Sequence, residues 1–235
     1  MIKFLWKVNL QAKVQLASTD MIWRKSWIFT LFLLIVTLIS SGCTLFNLPD
    51  ESGVLLFQDD FSSPNSGWNR YRGETYISDY ADGAYRIAVF EKDVEAWALP
   101  GLNFSDVIVE VAGTSVNGPE DNVFGVLCRY RDSENFYFFV ISSDGYSGIG
   151  LFYEGKRELL TGESMLPSNA ILKGSTTNLI KAQCVGNQLS LYVNGSLVNQ
   201  AGSDKLKSGD VGLIAGNYED GKTEVFFDHF SVKNP

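Results

Sequence analysis

From residue 53 onward, hydrophobic and polar positions alternate in short runs instead of recurring every three to four residues. The densest run is 123–142, VFGVLCRYRDSENFYFFVIS, which reads as two strands joined by the polar turn Asp132-Ser133-Glu134-Asn135. Strand side chains alternate with period 2, so Phe124, Val126, Cys128 and Tyr130 share one face of the first strand. Gly125, Leu127, Arg129 and Arg131 share the other. The second strand sets Phe136, Phe138 and Val140 against Tyr137, Phe139 and Ile141. It is apolar on both faces, so it is expected to be covered on both sides or to lie at the floor of a groove.

Similar runs fall at 54–57, 67–72, 76–80, 84–90, 95–99, 107–112, 148–153, 158–160, 178–185, 188–193, 196–200, 211–216 and 223–232. No stretch of this region sustains apolar residues at helical spacing over three turns. Asp82-Gly83, Asp144-Gly145, Gly186-Asn187, Asn194-Gly195 and Asp220-Gly221 supply residues that tolerate the positive φ of tight hairpins. Gly186-Asn187 separates NLIKAQCV from QLSLYV by two residues and is the clearest hairpin in the chain. Many short strands at regular spacing predict one all-β domain over 54–235, two antiparallel sheets packed as a jelly-roll sandwich.

The 235-residue chain opens differently. Arg24 and Lys25 precede an apolar run from Trp27 to Ile39, then Ser40-Ser41-Gly42 and Cys43, the order of a signal peptide over 1–42. The apolar run is short for a spanning helix, which needs about 20 residues; an uncleaved anchor helix is the alternative. A start at Met21 leaves a signal of ordinary length. Ser41-Gly42-Cys43 resembles a bacterial lipobox, which implies lipidation of Cys43 and a tether over 43–53; Ser40 stands where that pattern prefers leucine.

Removing 1–42 leaves 14 basic and 26 acidic residues, a net charge of −12. Such a surface repels phosphate backbones and argues against nucleic-acid binding. With Cys43 lipidated, Cys128 and Cys184 are left, and an exported chain permits a disulfide between them. Two buried free thiols are the alternative.

The segments FQDDFSSPNSGW (57–68), LIKAQCVGNQLSLYVNGSLV (179–198), GDVGLIAG (209–216) and VFFDHFSV (225–232) carry a resemblance to the concanavalin A-like lectin and glucanase superfamily. Laminin-G-like modules and 3-keto-disaccharide hydrolase-like domains share these pieces in this order. The resemblance covers 54–235 and implies a fold more than an activity. It also implies that the first and last strands pair, where several relatives hold a structural Ca²⁺. Asp59, Asp60 and Asp228 are then the candidate oxygen ligands; no other cofactor is called for.

Glu91-Lys92-Asp93-Val94-Glu95 has the E-x-D-x-E spacing of jelly-roll glycanases, in which period 2 sets the carboxylates on one strand face. Lys92 stands where that family has an aliphatic residue, and the segment reads as a polar break, so Glu91 and Glu95 are weak catalytic candidates. Sugar binding asks for aromatic platforms beside polar groups. Trp97, Arg129, Tyr137, Tyr146 and Tyr153 are the candidates, and the resemblance implies that the strands carrying Arg129 and Tyr137 form the concave sheet. For Arg129 the alternative is pairing with an acid such as Glu110. The sequence therefore predicts a membrane-tethered, extracytoplasmic lipoprotein whose domain binds carbohydrate or another envelope ligand without catalysis. A glycoside hydrolase and a protein-binding adhesion module are the alternatives.

Overall fold

The computed structural model describes residues 53–235. The signal segment, Met21, Cys43 and nearly all of the tether lie outside the described residues. The described residues hold sixteen strands and no helix. The first eight are β1 (Leu55–Asp59), β2 (Tyr71–Arg72), β3 (Tyr76–Ala81), β4 (Ala84–Val89), β5 (Val94–Ala98), β6 (Val107–Asn117), β7 (Asn122–Asp132) and β8 (Asn135–Ile141). The rest are β9 (Tyr146–Tyr153), β10 (Lys156–Leu159), β11 (Leu166–Pro167), β12 (Asn178–Val185), β13 (Gln188–Val193), β14 (Ser196–Gly202), β15 (Asp210–Asn217) and β16 (Thr223–Lys233).

All pairings are antiparallel, in two sheets. A nine-stranded sheet runs β14-β13-β12-β6-β16-β4-β3-β2, with β1 also on β16. A seven-stranded sheet runs β10-β9-β8-β7-β15-β5, with β11 also on β9. The first and last strands pair, as the resemblance implied: Asp59 lies opposite Phe230.

The two sheets use alternation differently. In β6 and β12 buried positions alternate with more exposed ones, so one face looks to solvent. In β8 and β15 nearly every residue is buried. Their inner side chains, such as Phe139, Ile141 and Leu213, join Val109, Ile180 and Phe227 in the core between the sheets. Their outer side chains, Phe136, Phe138, Val140 and Ile214, form a second cluster on the other side of the same sheet. Residues 136–141 are covered on both faces, one of the two arrangements expected for them.

One predicted strand shrinks and one strand has no sequence signal. The run at 67–72 keeps only Tyr71–Arg72 in a ladder. Trp68 is held by side chains instead: its backbone N–H donates to the Tyr80 hydroxyl at 3.1 Å and its indole Nε1–H to Asp59 Oδ2 at 2.9 Å. Strand β11 is two residues long, too short for a period to show.

The alternation breaks in β7 at Arg129. Its φ is 51°, and the register with β8 shifts between Cys128 and Asp132. This is a β-bulge, and one extra residue turns every later side chain to the opposite face. Tyr130 therefore leaves the face of Cys128 and joins the outer cluster, which corrects the sequence expectation. Arg129 does not reach the groove; it is 1% exposed. Nε donates to Ser105 O (3.0 Å), and Nη1 to Gly186 O and Leu206 O (both 2.9 Å). Nη2 donates to Asp106 Oδ1 (3.0 Å) and Cys184 O (3.4 Å). All five of its N–H groups are used, and its acid is Asp106 rather than Glu110, which instead accepts from Lys233 at 2.8 Å.

Cys128 and Cys184 form the expected disulfide, with Cα atoms 6.8 Å apart. It joins β7 of one sheet to β12 of the other. Gly186, in the β12–β13 hairpin, adopts φ 57°, which suits the residue type found there.

Candidate functional site

The outer face of the seven-stranded sheet carries the aromatic residues. Phe136 stands at the centre, with Tyr130 stacked on one side (centroids 5.4 Å) and Phe152 on the other (4.6 Å). Trp97, from β5, lies 5.3 Å from Phe136 and 6.3 Å from Tyr130. Phe138 follows beside Phe152 at 5.9 Å. Gly150 permits this layer: a Cβ there would stand 2.0 Å from the Phe138 ring. Phe136 and Phe138 are fully buried, while Trp97, Tyr130 and Phe152 are half-buried above them.

A polar corner adjoins this floor. Arg157 belongs to β10 and Glu95 to β5, the two ends of the strand order. On a flat sheet, five steps of about 4.8 Å would hold those strands about 24 Å apart. Arg157 Nη2 nevertheless lies 3.0 Å from Glu95 Oε1, so the sheet curls and the two rims meet over its concave face. The guanidinium carbon sits 4.7 Å from the centroid of the Phe138 ring, a cation–π stack. Nη2 also donates to the Tyr218 hydroxyl at 3.2 Å, and that hydroxyl donates to Glu95 Oε1. Burial, and then the charge of Glu95, raise the Tyr218 pKa well above its ordinary value, so the hydroxyl remains a donor.

Asp93, Glu95, Trp97, Phe152, Arg157 and Tyr218 line a cleft of about 330 Å³, at the lower end of the range for small-ligand sites. Its two ring-bearing walls and charged corner supply flat apolar faces beside hydrogen-bonding groups.

The structure sorts the sequence candidates. Trp97 is in the cleft. Tyr137 faces the inter-sheet core, donating to Ser203 Oγ at 2.7 Å and accepting from Leu206 N at 3.2 Å. Its register partner is Cys128, which fixes it to the inner face. Tyr153 packs against the same core, with Lys205 Nζ 5.0 Å from its ring. Tyr146 is 41% exposed at the start of β9 and does not line the cleft.

Glu91 and Glu95 do not share a strand face. Strand β5 begins at Val94, and Asp93 turns the chain with φ 59°, which breaks the period between the two glutamates. Glu95 enters the cleft and Glu91 stays outside its lining.

Of the candidate calcium ligands, Asp59 and Asp60 line one cleft and Asp228 stays outside its lining. Asp59 is buried and spends Oδ1 on Phe61 N (2.8 Å) and Oδ2 on Trp68 Nε1. Asp60 accepts from the Ser62 N–H and hydroxyl, and Asp228 from His229 N at 2.7 Å. Among the described residues no three His, Cys, Asp or Glu side chains gather as a metal site. The donor set does not fit a calcium cage, and Asp59 acts as an anchor for Trp68.

Sequence reasoning missed Arg157, Tyr218, Tyr130 and Phe152. Arg157 follows the Glu154-Gly155 turn and lies opposite Phe152 in the ladder. Period-2 reading across that hairpin would have placed it on the aromatic face.

No protein-family description matches the chain, and no curated protein matches it in sequence. Solved structures do match in shape. The carbohydrate binding module CBM66 from Bacillus subtilis superposes with a TM-score of 0.58 at 16% identity, over 72% of this chain and 96% of that one. A Bacillus subtilis protein with a galectin-like fold gives 0.56 at 12%, over 77% and 96%. The GH43 protein BlXynB from Bacillus licheniformis gives 0.57 at 16%, over 79% of this chain and 40% of that one, so the present chain spans well under half of its length. These likenesses show the fold alone, a two-sheet antiparallel jelly-roll sandwich.

Proposed function

We propose that this protein is a carbohydrate-binding module, held at the outer side of a cell membrane by a lipid on Cys43, that binds its ligand in the Trp97–Arg157 cleft without cleaving it. The observation that carries this reading is the cleft itself: exposed parts of Trp97 and Phe152 beside Glu95, Arg157 and Tyr218. Sugar rings stack their C–H faces on aromatic rings while their hydroxyls bond to the polar rim. A carbohydrate-binding module and a GH43 protein among the matching folds are in keeping with that ligand class. The absence of catalysis by the Glu91–Glu95 pair is inferred from Glu95, whose Oε1 is tied to Arg157 and Tyr218, and from Glu91, which lies outside the cleft.

Glycan-array binding followed by calorimetry on the hits tests the site. Wild type is expected to bind at least one glycan, and Trp97→Ala to weaken that binding about fivefold or more, from the loss of a stacking face worth about 1 kcal/mol or more. Equal binding by Trp97→Ala would place the ligand elsewhere. Membrane tethering has its own test. Cell fractionation is expected to find wild type with membranes and Cys43→Ala unmodified by lipid; lipidation of Cys43→Ala would exclude Cys43 as the acceptor.

A further inference from the structure

The cleft contains one cation and two carboxylates, and their hydrogen-bonding capacity is unevenly spent. Glu95 is 10% exposed at its side chain, and its Oε1 already accepts from both Arg157 and Tyr218. Asp93 is exposed on the turn before β5, and among the described residues its carboxylate has no hydrogen-bond partner. Arg157 uses Nη2 for both of its hydrogen bonds. Its Nε–H and the two N–H groups of Nη1 have no partner among the described residues, and its side chain is 35% exposed.

This guanidinium is held in place without being satisfied. The Phe138 ring supports its face, and Glu95 and Tyr218 fix one end. Such a group donates to a ligand with little further loss of side-chain freedom. Adjacent sugar hydroxyls accept from Nη1 and Nε and, because a hydroxyl is also a donor, return a hydrogen bond to Asp93. An anionic ligand meets a different field. The single guanidinium is already paired with Glu95, Asp93 adds an uncompensated negative charge, and the chain after residue 42 carries −12. A carboxylate or sulfate placed here is repelled, as like charges brought together across an interface are.

We infer that the cleft selects uncharged sugars, with Arg157 donating to neighbouring hydroxyls and Asp93 accepting from them, and that it turns away uronic-acid and sulfated glycans. This rests on the reading of the cleft as a carbohydrate site. Arg157 is the specificity-determining residue, acting through the placement of its donors as well as its charge.

The test uses an array carrying neutral oligosaccharides alongside uronic-acid and sulfated ones, read at low and at physiological salt. Proteins are wild type, Arg157→Met and Arg157→Lys, with folding checked by circular dichroism. Wild type is expected to bind neutral glycans and no acidic one. Both variants are expected to lose about tenfold or more, because lysine restores the charge but not the stacked, multiply donating plane. Acidic glycans bound as well as neutral ones, with that binding lost in Trp97→Ala, would overturn the selectivity while leaving the carbohydrate reading intact. Full neutral-glycan binding by Arg157→Lys would overturn the donor-placement argument. Failure of wild type to bind any glycan would overturn both the inference and the reading beneath it.

Discussion

Replacing Arg129 with methionine is expected to lower the unfolding free energy by about 3–5 kcal/mol, because it takes the donors from a set of carbonyls of which those of Cys184 and Leu206 are bonded in the interior. The five N–H groups of the guanidinium bond backbone carbonyls of Ser105, Cys184, Gly186 and Leu206 and the side chain of Asp106. These belong to the loop before β6, the β12–β13 hairpin with the end of β12, and the loop before β15, three chain segments that the guanidinium ties together. Methionine fills much of the volume but leaves the carbonyls without donors, and each buried orphan costs about 1–3 kcal/mol unless water reaches it. For a domain of this size each kcal/mol moves the melting temperature by about 2–4 °C, so a fall of about 10 °C is expected by calorimetry. Arg129→Lys should fall between, since an ammonium has three donors for five acceptors. A loss below about 1 kcal/mol for Arg129→Met would mean that the network adds little to the fold.

The second large effect belongs to the disulfide. Cys128 and Cys184 are 56 residues apart. In the chain-entropy treatment, opening a loop of that length restores about 4 kcal/mol of freedom to the unfolded chain. The Cys128→Ala, Cys184→Ala protein is expected to lose about that much in denaturant titration, with an altered m-value because its unfolded state is less compact. Reduction of wild type should match the double variant. Since Arg129 also bonds Cys184 O, removing both the disulfide and the guanidinium should be non-additive. Equal stability of reduced and oxidised protein would contradict the account.

Much of the fold was readable because β-strands announce themselves twice, by alternation and by turn residues. The arms of the β12–β13 hairpin are those predicted, residue for residue. The disulfide was legible for a related reason, since both cysteines fall on inward faces of well-patterned strands. What could not be read was the bulge at Arg129. A bulge leaves the composition of a strand unchanged, and the carbonyls that hold Arg129 come from residues 24 to 77 positions away. Counting by twos past Cys128 therefore placed Arg129 in the groove and Tyr130 in the core, the reverse of what is found.

The site was half legible for a different reason. Trp97 stood out as an aromatic in a short strand. Its partner Arg157 sits in KREL, a run whose composition resembles a solvated edge. Only the curl of the sheet brings Arg157 to Glu95, 62 positions away, and curl is a property of the whole sheet that no local pattern carries. Glu95 was noticed through a motif whose geometry fails at Asp93, and it reaches the cleft as the partner of Arg157.

The central claim is that ligand binds on the concave aromatic face at Trp97. The chain after residue 42 contains two tryptophans, Trp68 and Trp97. Trp68 is 4% exposed with its indole N–H bonded to Asp59, while Trp97 lines the cleft. Their indole N–H resonances in a ¹⁵N-labelled sample therefore make an internal comparison. Titration with a neutral oligosaccharide that binds on the array should shift the Trp97 signal and leave the Trp68 signal in place. Binding that leaves the Trp97 signal unmoved would contradict the account.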